Sequence, residues 1–168
     1  MDWLFLIPIG YQFVALIACI RRIFHVRPQP EALPPISILK PVKGVDPLFY
    51  SVACSHAQQD YPHFELLFAV GDMEDPAVPI IQRVIEEFPN RRIRLIVRTT
   101  HTPNPKVGAL IDLEKEALYE VFLVNDGDIR VPQGYLRTLA AELEQPNARS
   151  EEHTSELQSH LNLVCRLL

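Results

Sequence analysis

The chain has 168 residues, 48% of them hydrophobic and 22% charged, with a formal net charge of −5. That length suits one domain and excludes a large multidomain enzyme, and the composition excludes a disordered chain. The acidic balance excludes a broad electrostatic surface for nucleic acid, so an anionic ligand would need a local site or a metal.

From residue 3 to residue 20 the chain carries no charge, and Gln12 is its one strongly polar side chain. Such a run is near the lower limit for a membrane-spanning helix, roughly 17–25 residues. Asp2 precedes it, and Arg21, Arg22, His25 and Arg27 follow, the reverse of a secretory signal peptide. Residues 1–26 are therefore expected to form one transmembrane anchor, with the C-terminal side in the cytoplasm by the positive-inside rule. A buried core helix is the alternative. The proline-rich residues 27–35 read as a semi-rigid linker.

Residues 36–148 alternate between strand-like and helix-like patterns. Residues 36–39 form a short β-type run ending at Lys40-Pro41, and Asp46-Pro47 caps a helix through about Gln58. Phe64 to Val70 is nearly continuous apolar sequence, as a buried parallel strand should be. Asp75-Pro76 repeats the capping signal before residues 77–88, where Val78, Ile81, Val84, Ile85 and Phe88 share one helical face. A third strand over residues 93–97, a third helix over 106–117 and a fourth strand over 121–124 follow. Pro132 opens a last helix with Leu136, Leu139, Ala140 and Leu143 inward. The alternation predicts an α/β fold with a parallel sheet. Cys19, Cys54 and Cys165 fit no zinc-ligand spacing and are expected to be free thiols.

Ligands of such sheets bind beyond the carboxyl ends of the strands. Asp72 follows the strand ending at Val70, and Asp126 and Asp128 follow the strand ending at Val124. An Asp-x-Asp there can offer oxygens to a hard divalent cation, with Gly127 leaving room for a diphosphate. Acidic residues after strands also serve as helix caps or solvated turns, and Asp75 is better explained as a cap. Lys106 opens a helix, where a cation and free backbone N–H groups can hold phosphate; an exposed loop lysine is the alternative.

Ile38-Leu39-Lys40-Pro41-Val42-Lys43-Gly44-Val45-Asp46-Pro47 resembles the opening strand and loop of ceramide glucosyltransferases. Asp60-Tyr61-Pro62 with Glu65, Gly71-Asp72, Asp75-Pro76-Ala77, Asn104-Pro105-Lys106 and Asp126-Gly127-Asp128-Ile129-Arg130-Val131 follow in that family's order. The resemblance covers about residues 1–143. It implies the N-terminal part of an inverting GT-A glycosyltransferase domain, here residues 36–148. Such an enzyme takes a hexose, glucose first among the candidates, from a UDP-sugar to a lipid acceptor hydroxyl such as that of ceramide, with Mg2+ or Mn2+. It further implies that Asp72 contacts the uridine, that Lys106 lies near the nucleotide phosphates, and that Asp126 with Asp128 forms the metal and diphosphate motif.

Eukaryotic members show Asp-Ser-Gly-Ile-Arg at that motif. Asp128 stands where they have glycine, which is closer to bacterial relatives such as hopanoid-associated transferases and makes a bacterial inner membrane the expected location. The acceptor lipid stays open: hopanoid-associated and polyprenyl-phosphate sugar transferases are the enzymatic alternatives. A non-catalytic nucleotide-binding membrane protein is the alternative of another class, and a receiver-type signalling domain ranks last. The family's general base, a third Asp, and its Gln-x-x-Arg-Trp motif belong further along than this chain reaches, so no catalytic base is assigned.

Residues 149–168 resemble no part of that family. Arg149 to His160 reads as the in-frame translation of a common sequencing adapter, and residues 163–168 continue it after a short barcode. Glu151, Glu152, His153 and His160 are therefore not read as a metal site. Helix is the local structure this stretch favours, because Glu, Leu and Gln are good helix formers.

Overall fold

The alternation of the sequence becomes a sheet whose first four strands are parallel, in a computed structural model that describes residues 6–23, 30, 32–143 and 163–166. In chain order the elements are α1 (Leu6–Ile23), β1 (Ile36–Pro41), α2 (Phe49–Ala57), β2 (Phe64–Val70) and α3 (Val78–Glu87). β3 (Arg92–Val97), α4 (Pro105–Glu116), β4 (Val121–Val124), α5 (Tyr135–Leu143) and β5 (Leu163–Arg166) complete the set. The sheet order is β3-β2-β1-β4-β5. β1 lies parallel between β2 and β4, with Leu39 level with both Leu67 and Val124.

Period-two alternation divides the core between the sheet faces. Ile36 and Ile38 of β1, Phe64, Leu66, Phe68 and Val70 of β2, and Val121 and Leu123 of β4 share one face with the inner stripes of α2, α3 and α5. Leu39, Leu67, Ala69 and Phe122 form the other with Ala109 and Leu113 of α4. All seven residues of β2 are buried, as its unbroken apolar run predicts. Glu65 is the exception in chemistry. Its buried carboxylate accepts from the Ser37 hydroxyl and the Leu118 N–H, both at 2.6 Å, and faces Arg94 at 3.4 Å. Those partners offset the cost of desolvating the charge.

Two helices start later than the capping signals suggest. α2 begins at Phe49 because Asp46 first closes a turn, its Oδ1 accepting from Leu48 N and its carbonyl from Phe49 N. α5 begins at Tyr135 because Pro132 closes a similar turn onto the Tyr135 N–H. Gly44, at φ +70°, lets the β1–α2 loop turn where a side chain would be strained. Cys19 and Cys54 are free thiols.

The expected membrane-spanning anchor is not found: among the described residues no helix is long and apolar enough to cross a membrane. The helix described at the N-terminus has 18 residues, including Arg21 and Arg22. Its uncharged part reaches only about 22 Å, against a hydrocarbon core of about 30 Å. Residues 1–5 and the linker residues 24–29 and 31 lie outside the described residues.

Most of the adapter-like tail also lies outside them. Its described part is a strand, not the helix its composition favours: β5 pairs antiparallel with β4, Val124 opposite Leu163 and Val121 opposite Arg166. An open sheet edge accepts any short strand-prone run through main-chain bonds, which accounts for Leu-Val-Cys-Arg lying there.

Candidate functional site

The carboxyl ends of β1, β2 and β3 and the start of α4 enclose a cleft of about 500 Å³, lined by Lys43, Gly71, Asp72, Arg98 and Lys106 among others. Asp72 stands two residues beyond β2. Its Oδ1 accepts from the Glu74 N–H at 2.9 Å, fixing a tight turn with the carboxylate at the rim. Asp75 behaves as structure: Oδ1 accepts from Ala77 N ahead of α3, and Oδ2 accepts from Gly44 N, joining this turn to the β1–α2 loop.

Lys106 enters from the other side of the cleft. Asn104 caps α4, its Oδ1 accepting from Lys106 N at 3.0 Å while its carbonyl accepts from the N–H groups of Val107 and Gly108. The free backbone donors expected there are thus already used, and Pro105 has none. What Lys106 can offer a phosphate is its ammonium alone. That group lies 2.5 Å from Asp126 Oδ1. The structure therefore joins Lys106 and Asp126 directly, with Asp128 two residues on, and sets Asp72 across the cleft.

The β3–α4 loop that presents Lys106 is pinned by Asp112, which the sequence reading passed over. Its carboxylate accepts from the N–H groups of Thr99 and Thr100, both at 2.7 Å, and from the Thr100 hydroxyl at 2.5 Å. The Thr100 and Thr99 donors hold this carboxyl well below the usual carboxylate range. Gly108 lets α4 approach the same loop: a Cβ there would lie 2.5 Å from the Thr100 carbonyl oxygen.

A buried polar chain supports the Asp126-Gly127-Asp128 turn from below, and it too was missed. Lys40 is fully buried, and its ammonium donates to the Asp126 carbonyl at 2.7 Å. Burial pulls its pKa down to about 7, against the opposing pull of the Asp126 and Asp128 charges. Asn125 is held to β1 through its N–H on the Leu39 carbonyl, and its amide donates to His56 Nε2 at 3.0 Å. His56 Nδ1 lies 3.0 Å from the Val52 carbonyl, which can only accept. The ring is therefore the neutral Nδ1–H tautomer, with Nε2 as acceptor. Burial, helped by the Lys40 charge, lowers the His56 pKa to about 3. Lys40 sits inside the motif quoted above, so its position was visible; its burial was not.

The oxygen donors at this turn suit a hard cation. Two carboxylates flank Gly127, and a Cβ on Gly127 would meet nothing within 4 Å, so the space beside the turn is open. Magnesium sites commonly use one or two carboxylates, with substrate phosphates and water completing the shell. Among the described residues no group of three or more His, Cys, Asp or Glu side chains is placed to hold a metal. Any cation here would thus lean on its ligand's own oxygens.

The parallel sheet with this edge cleft is the GT-A fold of nucleotide-sugar transferases. The chain shares it with the mannosyltransferase PcManGT from Pyrobaculum calidifontis, solved with GDP-mannose and Mn2+, at TM-score 0.62 and 21% identity over 82% of this chain and 41% of that one. Residues 1–349 of S. aureus TarS give TM-score 0.52 at 20% identity, over 65% of this chain and 32% of that one. In sequence, residues 1–151 match glycosyl transferase family 21, and the chain belongs to that family. It is 31% identical to the ceramide glucosyltransferase of Komagataella phaffii over 69% of this chain and 23% of that protein. It is 32% identical to ceramide glucosyltransferase 1 of Caenorhabditis elegans over 73% and 27%. The chain thus spans about a quarter of the length of the curated relatives it matches.

Proposed function

We propose that this chain is the donor-binding part of a hexosyltransferase that moves a hexose, glucose first among the candidates, from a UDP-sugar to a lipid hydroxyl such as that of ceramide. The observation that carries the reading is a cleft at the carboxyl edge of the sheet lined by Asp72 and Lys106, with Asp126 joined to it by its ion pair with Lys106. The names of the curated relatives support glucose as the sugar and ceramide as the acceptor, and the Mn2+ in the fold-sharing mannosyltransferase accords with a divalent cation.

In this reading Asp72 accepts hydrogen bonds from the base, Lys106 meets the phosphates, and Asp126 with Asp128 holds Mg2+ or Mn2+. The cation supplies Lewis-acid neutralisation of the diphosphate leaving group. Lys40, Asn125 and His56 act through the turn, keeping its main chain fixed. Inverting transfer also needs a general base for the acceptor hydroxyl, a role the family resemblance gives to a third Asp and to none of the residues assigned above. Transfer itself is proposed for a parent protein of the relatives' length, of which this chain covers about a quarter. α1 is the membrane-facing segment, its apolar side chains against lipid and its arginine-bearing end toward the headgroups.

Titration calorimetry of the chain with UDP in Mn2+ tests the donor site. Binding that disappears in the double variant Asp126→Ala, Asp128→Ala supports it, whereas an unaltered chain that binds no UDP sinks it. For the parent, donor and acceptor screens decide between ceramide and the other lipids.

A further inference from the structure

The ion pair of Lys106 and Asp126 joins two residues that the proposed function assigns to different ligands. The ammonium stands 2.5 Å from Asp126 Oδ1, and the two side chains are 50% and 44% exposed. Neither is locked by burial. An oxygen lone pair given to an ammonium is not available to a metal ion, and two cations at one carboxylate repel each other. The Asp126 main chain is a separate matter. Its carbonyl is tied to the buried Lys40 ammonium, so the turn can stay in place while the carboxylate changes partner.

We propose that Lys106 is a resident competitor for the Asp126 carboxylate, displaced when a divalent cation binds and thereby released to the nucleotide phosphates, so that cation and nucleotide bind synergistically. The inference rests on the donor-site reading above and adds to it an order of events. Without ligands, the pair neutralises a charge that would otherwise face its neighbour Asp128. With both ligands bound, Asp126 would hold the cation through its carboxylate and Lys106 would meet the phosphates with its ammonium. The exchange is inexpensive because an ion pair this exposed contributes little. The open space beside Gly127 leaves room for the incoming group.

The test follows free Mn2+ by electron paramagnetic resonance with the full 168-residue chain, with and without UDP. Lys106→Gln is expected to bind Mn2+ alone roughly two- to fivefold tighter than the unaltered chain, the range given by an exposed ion pair. Lys106→Arg keeps a competitor and should match the unaltered chain. Lys43→Gln removes a cleft charge that has no ion pair among the described residues, and should shift Mn2+ affinity less than Lys106→Gln does. The factor by which UDP tightens Mn2+ should shrink in Lys106→Gln, and by reciprocity the factor by which Mn2+ tightens UDP should shrink equally.

Unchanged or weaker Mn2+ binding by Lys106→Gln, or an equal gain in Lys43→Gln, overturns the inference while leaving the donor site standing, provided the unaltered chain binds UDP and Mn2+. An unaltered chain that binds neither overturns both.

Discussion

His56 is buried against a lysine and kept neutral, and that has a signed consequence for stability. Its folded pKa is about 3, whereas the unfolded side chain titrates near 6.5. Between those values the unfolded chain binds a proton that the folded chain refuses, so stability falls as pH drops through this window. The loss from this one group approaches about 1.4 kcal/mol per pH unit. Urea unfolding at pH 7, 6 and 5, above the main carboxylate range, should show that slope in the unaltered chain. His56→Gln should flatten it, whatever the substitution costs at pH 7. Equal slopes would mean that His56 is not the group refusing the proton.

At the scale of elements, α4 depends on a single glycine. Gly108→Ala would drive a Cβ against the Thr100 carbonyl, a backbone atom that cannot swing aside. Overpacking of this kind costs about 1–3 kcal/mol. Thermal unfolding should register it, and UDP binding should weaken as well, because the displaced loop leads directly into Asn104 and Lys106. Gly134→Ala, where a Cβ meets nothing within 4 Å, is the matched control.

Elements were legible in the sequence to the extent that periodicity was pure. β2 and β4 fall where their apolar runs place them, and the inner face of α3 is the predicted stripe, Val78, Ile81 and Val84 fully buried and Ile85 and Phe88 partly so. Helix starts were less legible, since Asp46 and Pro132 each close a turn before a helix begins. The acidic residues of the candidate site could be found because position after a strand is a local property. Lys40, His56 and Asn125 could not, because burial of a polar side chain depends on partners far along the chain. A separation of 69 positions between His56 and Asn125 leaves no local trace of their pairing.

For the molecule as a whole, α1 contributes no residue to either of the core clusters described above. Tyr11, Phe13, Val14, Leu16, Ile17 and Ile20 are all exposed, and at 3.6 residues per turn they cover most of its circumference. A helix apolar on nearly every side calls for a buried or lipid environment. The chain should therefore sediment with phospholipid vesicles, and Leu16→Glu with Ile17→Glu should release it while leaving UDP binding intact. Retention of the double variant on vesicles would move the membrane contact away from α1. The uncharged run over residues 3–20 marked this segment as apolar, but the described helix is too short and too interrupted by Arg21 and Arg22 to cross a membrane.

The strand order also sets a length. Asp72 and Asp126 each stand two residues past the end of a strand, but those strands, β2 and β4, are separated by β1. Two inter-strand spacings amount to about 10 Å. The sheet is in this respect a ruler: a ligand that engages both ends must straddle one whole strand. In the proposed donor pose the second phosphate is the group that carries charge to the Asp126 side. UDP should accordingly bind at least tenfold more tightly than UMP in Mn2+, and equal affinities would mean that Asp72 and Asp126 never engage the same molecule.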